Sequence, residues 1–294
     1  MGIRAKYLLL MSVLCLLAII SIAIVSYKLN VGNAIFEARS KSQLILDWAL
    51  SSKKHVKLVQ RPLVMALLEK DRFYPELMSG FAVARGTYEI FKKKQPGYEF
   101  KQATLDPLEH TNIANADEVR IINTFRENPE LKIQEGIINK DGEEHFYLAK
   151  PIKVDMQKCL DCHGDPGDAP KDQIEIYGSK NGYNWKLGDI VATFVVYVPI
   201  KEAMAYVRHS TMYLGIIGAG SLIIVLFCFL IFLERSIVAP IKRLSKSAEE
   251  MSLGKNLERN ISSKASYDEI GELGRAIDRL RISIAKMLKR SSHD

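Results

Sequence analysis

The sequence predicts an α+β domain held between two membrane-spanning helices and followed by a pair of coiled-coil helices. Three observations carry this fold class. Two uncharged runs, residues 7–27 and 212–233, are 21 and 22 residues long, enough for each to cross a hydrocarbon core of ~30 Å as a helix. Between them, apolar residues first recur at helical spacing and then, from Tyr98 on, in short strand-like segments. Beyond the second run the apolar residues step by three and four in two separate stretches. The expected organisation is a cytoplasmic N-terminus at 1–6, a first membrane helix at 7–28, an outer domain at 29–211, a second membrane helix at 212–233 and a helical tail at 234–290.

Arg4 and Lys6 precede the first apolar run. A cleaved signal peptide would have a shorter apolar region ending in small residues of the A-x-A type. The run has no convincing site of that kind and is expected to remain as an anchor. The second run contains Gly215, Gly218 and Gly220, which suit close helix approach in a membrane. Arg235, Lys242, Arg243 and Lys246 follow it. Basic residues thus flank the N-terminal end of the first run and the C-terminal end of the second, which places both termini inside and 29–211 outside.

The outer domain is expected to open with a long helix. Ile45, Trp48, Ser52, His55 and Val59 share one face by spacing and are expected to be its buried stripe, and Pro62 is expected to break or kink it at about Arg61. A second helix is expected over 75–94. Residues 98–105, 131–139, 144–154 and 190–199 read as strands, with Asn139-Lys140-Asp141-Gly142 as a hairpin turn between the middle two. Helices followed by an antiparallel sheet, with a loop inserted before the last strand, argue an α+β arrangement. Residues 201–210 should be helical and lead into the second membrane run.

The inserted loop carries the chemistry. Cys159-Leu160-Asp161-Cys162-His163 is the spacing used for covalent attachment of haem c. Each thiol adds to one vinyl group, and two intervening residues let one turn of chain span both. The histidine directly after lies under the ring, where its imidazole serves as the proximal iron ligand. A second CxxC or a nearby histidine pair, which a zinc site would need, is missing from the sequence. Gly164, Pro166, Gly167 and Pro170 make the breaker-rich chain expected around a cofactor edge. Cys15 and Cys228 lie in the apolar runs, so no disulfide framework is implied. Covalent haem attachment takes place outside the bacterial cytoplasmic membrane, in agreement with the charge-based topology.

The net charge of +7 does not indicate a nucleic-acid partner. Residues 29–211 hold 25 Lys+Arg against 25 Asp+Glu, whereas 234–294 hold 13 against 9. The excess sits beside the membrane runs, where topology and anionic lipid account for it. No Ser/His/Asp arrangement, Walker-type loop or spaced carboxylate pair is present, and no enzymatic activity is expected.

In the tail, Ile237, Ile241, Leu244, Ala248 and Met251 form one stripe. A connector with Gly254, Leu257 and Ile261 follows, and then Ile270, Leu273, Ile277, Leu280, Ile284 and Met287 form a second. Neither helix can bury its stripe alone, so a homodimer with a four-helix bundle is expected. With Pro240 just inside the first helix and Asp268-Glu269-Ile270-Gly271 opening the second, residues 234–290 resemble a HAMP domain, the dimeric relay of bacterial membrane receptors. Residues 35–205 resemble the PAS-like c-type haem sensor domains of bacterial signalling proteins. The stretches that carry this second likeness are Gln60-Arg61-Pro62, Pro96-Gly97-Tyr98-Glu99-Phe100, 159–170 and Lys186-Leu187-Gly188-Asp189.

The PAS-like resemblance implies one covalent haem and an axial ligand from the long N-terminal helix. His55 is the candidate distal ligand, with Met65, Met78, Met156 or an open site as alternatives. Two histidines favour a low-potential iron suited to redox sensing, methionine raises the potential, and an open site admits a diatomic gas. Arg61, Arg85 and Lys186 are candidate partners of the haem propionates. The expected function is a redox or gas sensor in the bacterial inner membrane. Residues 289–294 are too few for an output module, so a separate cytoplasmic kinase or similar protein is the expected partner. The competing reading is a membrane-anchored cytochrome carrying electrons at the periplasmic face.

Overall fold

A computed structural model describes residues 2–68, 72–258, 260 and 267–291 of the chain. Ile261 and His293 lie outside the described residues. The chain forms two compact units, one of residues 27–209 and one that joins 1–26 to 210–294.

The first unit is built on a four-stranded antiparallel sheet of β1 (Glu99–Thr104), β2 (Gln134–Lys140), β3 (Glu143–Lys153) and β4 (Ile190–Pro199) in the order β1-β4-β3-β2. The Asp141-Gly142 turn joins β2 to β3 with both residues at positive φ, 54° and 82°, the pair of values that a two-residue hairpin of the right twist needs. β4 is central and almost wholly buried, and its sequence Ile-Val-Ala-Thr-Phe-Val-Val-Tyr-Val is mostly apolar because both of its faces are covered, the Thr193 hydroxyl being satisfied by the Lys150 carbonyl at 3.0 Å. On one face Phe100, Phe146, Leu148, Phe194, Val196 and Val198 pack against Ala38, Leu46 and Ala49 of helix α1 (Ile3–His55) and Ala84 and Tyr88 of helix α4 (Gly80–Lys94). On the other, Ala103, Tyr147, Ala149, Val195 and Tyr197 meet Ile121 and Phe125 of helix α5 (Ala116–Glu127). The period of two in a strand divides these residues between the faces.

Helix α5 was not foreseen, although Asn115 and Glu118 form a complete capping box at its start, a pattern readable in sequence. Glu118 is fully buried, and its carboxylate accepts from Lys101 Nζ (2.8 Å), the Asn115 N–H (2.9 Å) and the Tyr197 hydroxyl (3.1 Å).

Three sequence expectations are corrected. The buried face of α1 runs through Ala38, Ser42, Leu46, Ala49 and, beyond its end, Val56, while Trp48, His55 and Val59 are exposed. The apolar residues on that helix surround it more fully than a single stripe, so spacing alone selected the wrong set. Pro62 does not break the helix at Arg61. A π-turn, Val56–Gln60, precedes it, and the chain continues as α2 (Arg61–Leu67), with the Arg61 N–H bonded to the Val56 carbonyl. The wider turn accommodates the N–H that proline lacks. The expected helix over 75–94 is two, α3 (Pro75–Met78) and α4, divided at Ser79, whose hydroxyl caps α4. Strand boundaries otherwise fall within three residues of expectation.

In the second unit, the N-terminal part of α1 and helix α8 (Lys201–Leu233) are long and apolar enough to cross a membrane, and their most apolar windows are almost unburied. Arg4 pairs with Glu234, and Ile19 lies against Gly218, where a Cβ would stand 3.1 Å from its side chain. A second π-turn, Glu234–Val238, follows α8, and α9 (Ala239–Ser252) packs on α10 (Glu269–Ser291). Asp268 caps α10 by accepting the Gly271 N–H at 2.8 Å. Ile270, Ile277 and Ile284 are half-buried, whereas Leu273, Leu280 and Met287, seven residues apart, stay exposed.

Candidate functional site

The Cys-Leu-Asp-Cys-His stretch folds as a 3₁₀ turn, Gln157–Cys159, running into a single turn of helix, α6 (Leu160–His163). One turn of this kind brings both thiols and the imidazole onto a short, common frame. Gly164 ends it: its N–H bonds the Leu160 carbonyl at 2.8 Å, and a Cβ there would stand 2.5 Å from that same oxygen, so the tight stop requires glycine. Cys159, Leu160, Trp185 and Ile152 pack against Val154, Val191 and Ala192. Both cysteines are half-buried and unpaired.

Helix α7 (Lys171–Tyr177) and the loop after it brace this turn. Gln173, itself buried, donates to the Cys162 carbonyl at 2.6 Å. The Asn184 and Trp185 N–H groups donate to the carbonyls of Gly164 (2.8 Å) and His163 (3.0 Å). The Gly182 N–H is held by Asp106 at 2.8 Å, and the Gly182 carbonyl lies 2.7 Å from His163 Nδ1. A carbonyl only accepts, so Nδ1 carries the proton and Nε2 is left with its lone pair. The Trp185 ring stacks on the imidazole with centroids 3.9 Å apart and planes within 4°. Burial pushes the His163 pKa down, against the Gly182 bond, so the ring is neutral near pH 7. Burial likewise pushes the Cys162 thiol up, opposed by Arg61 beside it.

Of the residues singled out from sequence, the structure brings Cys159, Cys162, His163 and Arg61 together. Arg61, the first residue of α2, stands beside the Cys162 side chain, where its charge works against the burial that pushes the thiol up. His55 is exposed rather than on the buried face, so its service as an iron ligand requires the cofactor to cover it. Arg85 stands elsewhere, paired with Glu109 at 3.3 Å. Lys186 is exposed next to Trp185, its N–H held by Asp189 at 2.9 Å. Among the methionines, Met65 is exposed and Met78 is buried with its sulfur accepting the Tyr74 N–H. Met156 lies three residues before Cys159, 3.4 Å from Lys57 Nζ.

Trp185, Gly182 and Gln173 are not marked by the sequence. Trp185 adjoins the Lys186-Leu187-Gly188-Asp189 stretch, but nothing in the sequence connects it to a histidine 22 residues earlier. A cleft of ≈470 Å³ opens beside it, lined by Asp106, Arg126, Gly188 and Asp189 among others.

The model of the Tll0287-like family matches residues 31–199, more than half of the chain. The chain belongs to the Tll0287-like family. Its α+β unit is therefore a Tll0287-like domain, and a HAMP domain model matches residues 232–286 beyond it, a module whose presence implies signal relay. Among solved structures, the chain is similar to the cyanobacterial heme-protein Tll0287, at 20% identity and a TM-score of 0.37, over 52% of this chain and 94% of that one. No curated protein matches.

Proposed function

We propose that the protein is a haem c-based sensor of the bacterial inner membrane that relays its signal through the HAMP helices to a separate cytoplasmic partner. The observation that carries this reading is the state of His163: a half-buried imidazole with Nδ1–H committed to a carbonyl and Nε2 left with its lone pair, one residue beyond two unpaired thiols on the same turn. That donor set suits a porphyrin, which brings four nitrogens of its own and takes one or two more from the chain. A bare metal ion would need a cluster of side chains, and the described residues gather no group of three or more His, Cys, Asp or Glu for one. Cys159 and Cys162 would form the thioethers and His163 Nε2 the proximal bond. When bound, the group supplies a redox-active iron. The haem content of the solved family member Tll0287 supports the same reading.

The four-stranded sheet with helices across both faces serves as a PAS-like sensor frame. Residues 29–211 face the periplasm, and both termini are cytoplasmic. The unburied heptad seam of Leu273, Leu280 and Met287 supports a homodimer, since a second copy would cover it. Redox state or a diatomic gas at the iron is the stimulus, read as altered packing of α1, which is continuous with the first membrane helix. The role is sensing, with no catalytic step and no nucleic acid. An electron carrier would need one anchor and no HAMP helices.

Replacing Cys162 or His163 with alanine should abolish haem binding and signalling while membrane insertion persists. Covalent haem retained in a Cys159→Ala/Cys162→Ala double variant would refute the attachment. Deleting residues 255–294 should stop signalling; respiration that survives this deletion but fails in the haem-less variants, with no signalling phenotype, would favour the carrier.

A further inference from the structure

The cleft of ≈470 Å³ beside Trp185 lies where the end of β1 and the start of β4 meet the last turn of α5. Cys159, Cys162, His163 and Arg61 are not among the residues that line it. Three charged side chains do line it, and each is held in place by the backbone. Arg126 donates from Nε to the Ile190 carbonyl at 2.9 Å. Asp106 and Asp189 each commit Oδ2, to the N–H of Gly182 (2.8 Å) and of Lys186 (2.9 Å). The guanidinium forms no ion pair with either carboxylate, nor with any other among the described residues. The two terminal amines of Arg126 and Oδ1 of each aspartate are therefore left for a ligand. The rest of the wall is apolar, with Leu105 and Ile190 beside the Trp185 indole.

This set of charges selects what can bind. An anion matched to Arg126 alone would be repelled by two carboxylates, and a cation matched to the aspartates would meet a guanidinium. A neutral ligand would cover all three charges and pair none of them. A zwitterion satisfies both signs, with its carboxylate on the Arg126 fork and its ammonium against Asp106 and Asp189. An apolar side chain would then lie on Leu105 and Trp185. The volume falls within the range of small-molecule sites, roughly 300–1,000 Å³. Two of the lining residues also support His163. Trp185 stacks on the imidazole at 3.9 Å, and Asp106 fixes Gly182, whose carbonyl takes the Nδ1 bond.

We propose that this cleft binds a free α-amino acid with an apolar side chain, and that its occupancy is read at His163. The binding stands without the haem reading of the cysteine turn, and the readout rests on it. A ligand in contact with Trp185 and Asp106 touches both supports of the histidine at once, so it would reset the ring's orientation.

The test is isothermal titration of the full-length protein in detergent, after maturation in a host competent for cytochrome c assembly. The probes are L-leucine and L-phenylalanine, with isocaproate and isoamylamine as the carboxylate-only and ammonium-only counterparts of leucine. One amino acid should bind per chain, and each counterpart should bind about tenfold more weakly or worse. Arg126→Gln and Asp189→Asn should each weaken leucine by about tenfold or more, the asparagine keeping an oxygen for the Lys186 N–H. Arg120→Gln, on the exposed side of the same helix, should bind as the parent does. Leucine should also shift the ferric paramagnetic resonance of the parent and leave that of Arg126→Gln in place. No saturable heat from a folded parent, counterparts that bind as tightly as leucine, or binding unchanged in both variants would overturn the site. Leucine bound with an unmoved resonance would overturn the readout at His163. A colourless protein that still binds leucine would sink the haem reading and uphold the site.

Discussion

His163 is oriented by two independent contacts, a hydrogen bond to a backbone carbonyl and a parallel indole, and each can be perturbed separately. Gly182, which supplies the carbonyl, has φ +79°, and a Cβ there would stand 2.6 Å from the Leu108 side chain and 3.1 Å from its backbone nitrogen. Gly182→Ala should therefore cost about 1–3 kcal/mol and release the Nδ1 bond, read as a lowered unfolding midpoint and a changed iron–imidazole signature. Full retention of both would contradict the assigned role. Trp185→Leu should broaden the ligand geometry while Trp185→Phe preserves it, as seen in electron paramagnetic resonance of the ferric protein. At the far side of the sheet, Glu118→Gln should destabilise by about 3–5 kcal/mol, because Lys101 loses its buried partner. Denaturant unfolding measures this. The cysteines and His163 were legible in sequence because their meaning lies in a contiguous spacing. Trp185, Gly182 and Gln173 were not, because each acquires its role from a neighbour brought close only by the fold.

At the scale of elements, the strands were legible because β-branched and aromatic runs bounded by turn residues leave few alternatives, and the Asp141-Gly142 turn fixes the hairpin. The face of α1 was misread for a physical reason. Leu44, Trp48 and Leu58 are apolar and exposed, so hydrophobicity does not mark the side that small residues such as Ala38, Ser42 and Ala49 bury against the sheet. The π-turn before Pro62 was also hidden, since its signature is a hydrogen bond and not a residue pattern. Pro62→Ala restores the missing N–H and should let Val56–Gln60 relax toward an α-helix. Slower amide exchange across residues 58–66 and a changed environment at Cys162, next to Arg61, should follow. Unchanged exchange would show that the turn is set by packing rather than by the proline. In α10, Leu280→Asp places a charge on the exposed heptad seam and should dissociate the proposed homodimer, measured by sedimentation or cross-linking in detergent. A dimer unaffected by this change would mean that the seam faces something else.

Across the whole molecule, the chain order is an apolar helix, a Tll0287-like domain, a second apolar helix and a HAMP domain. The proposed topology draws on length and apolarity for the two candidate spans, on charge asymmetry for their proposed direction, and on the proposed haem chemistry of the cysteine turn. Reporter fusions at residues 6, 120 and 290 should show only the middle one exported; export of either end would reverse the topology. The most direct test of the account is the mass of the denatured full-length protein after maturation with cytochrome c assembly factors. One haem should remain covalently attached and disappear in the Cys159→Ala/Cys162→Ala variant. An unmodified chain, or an adduct that survives the loss of both thiols, would contradict it.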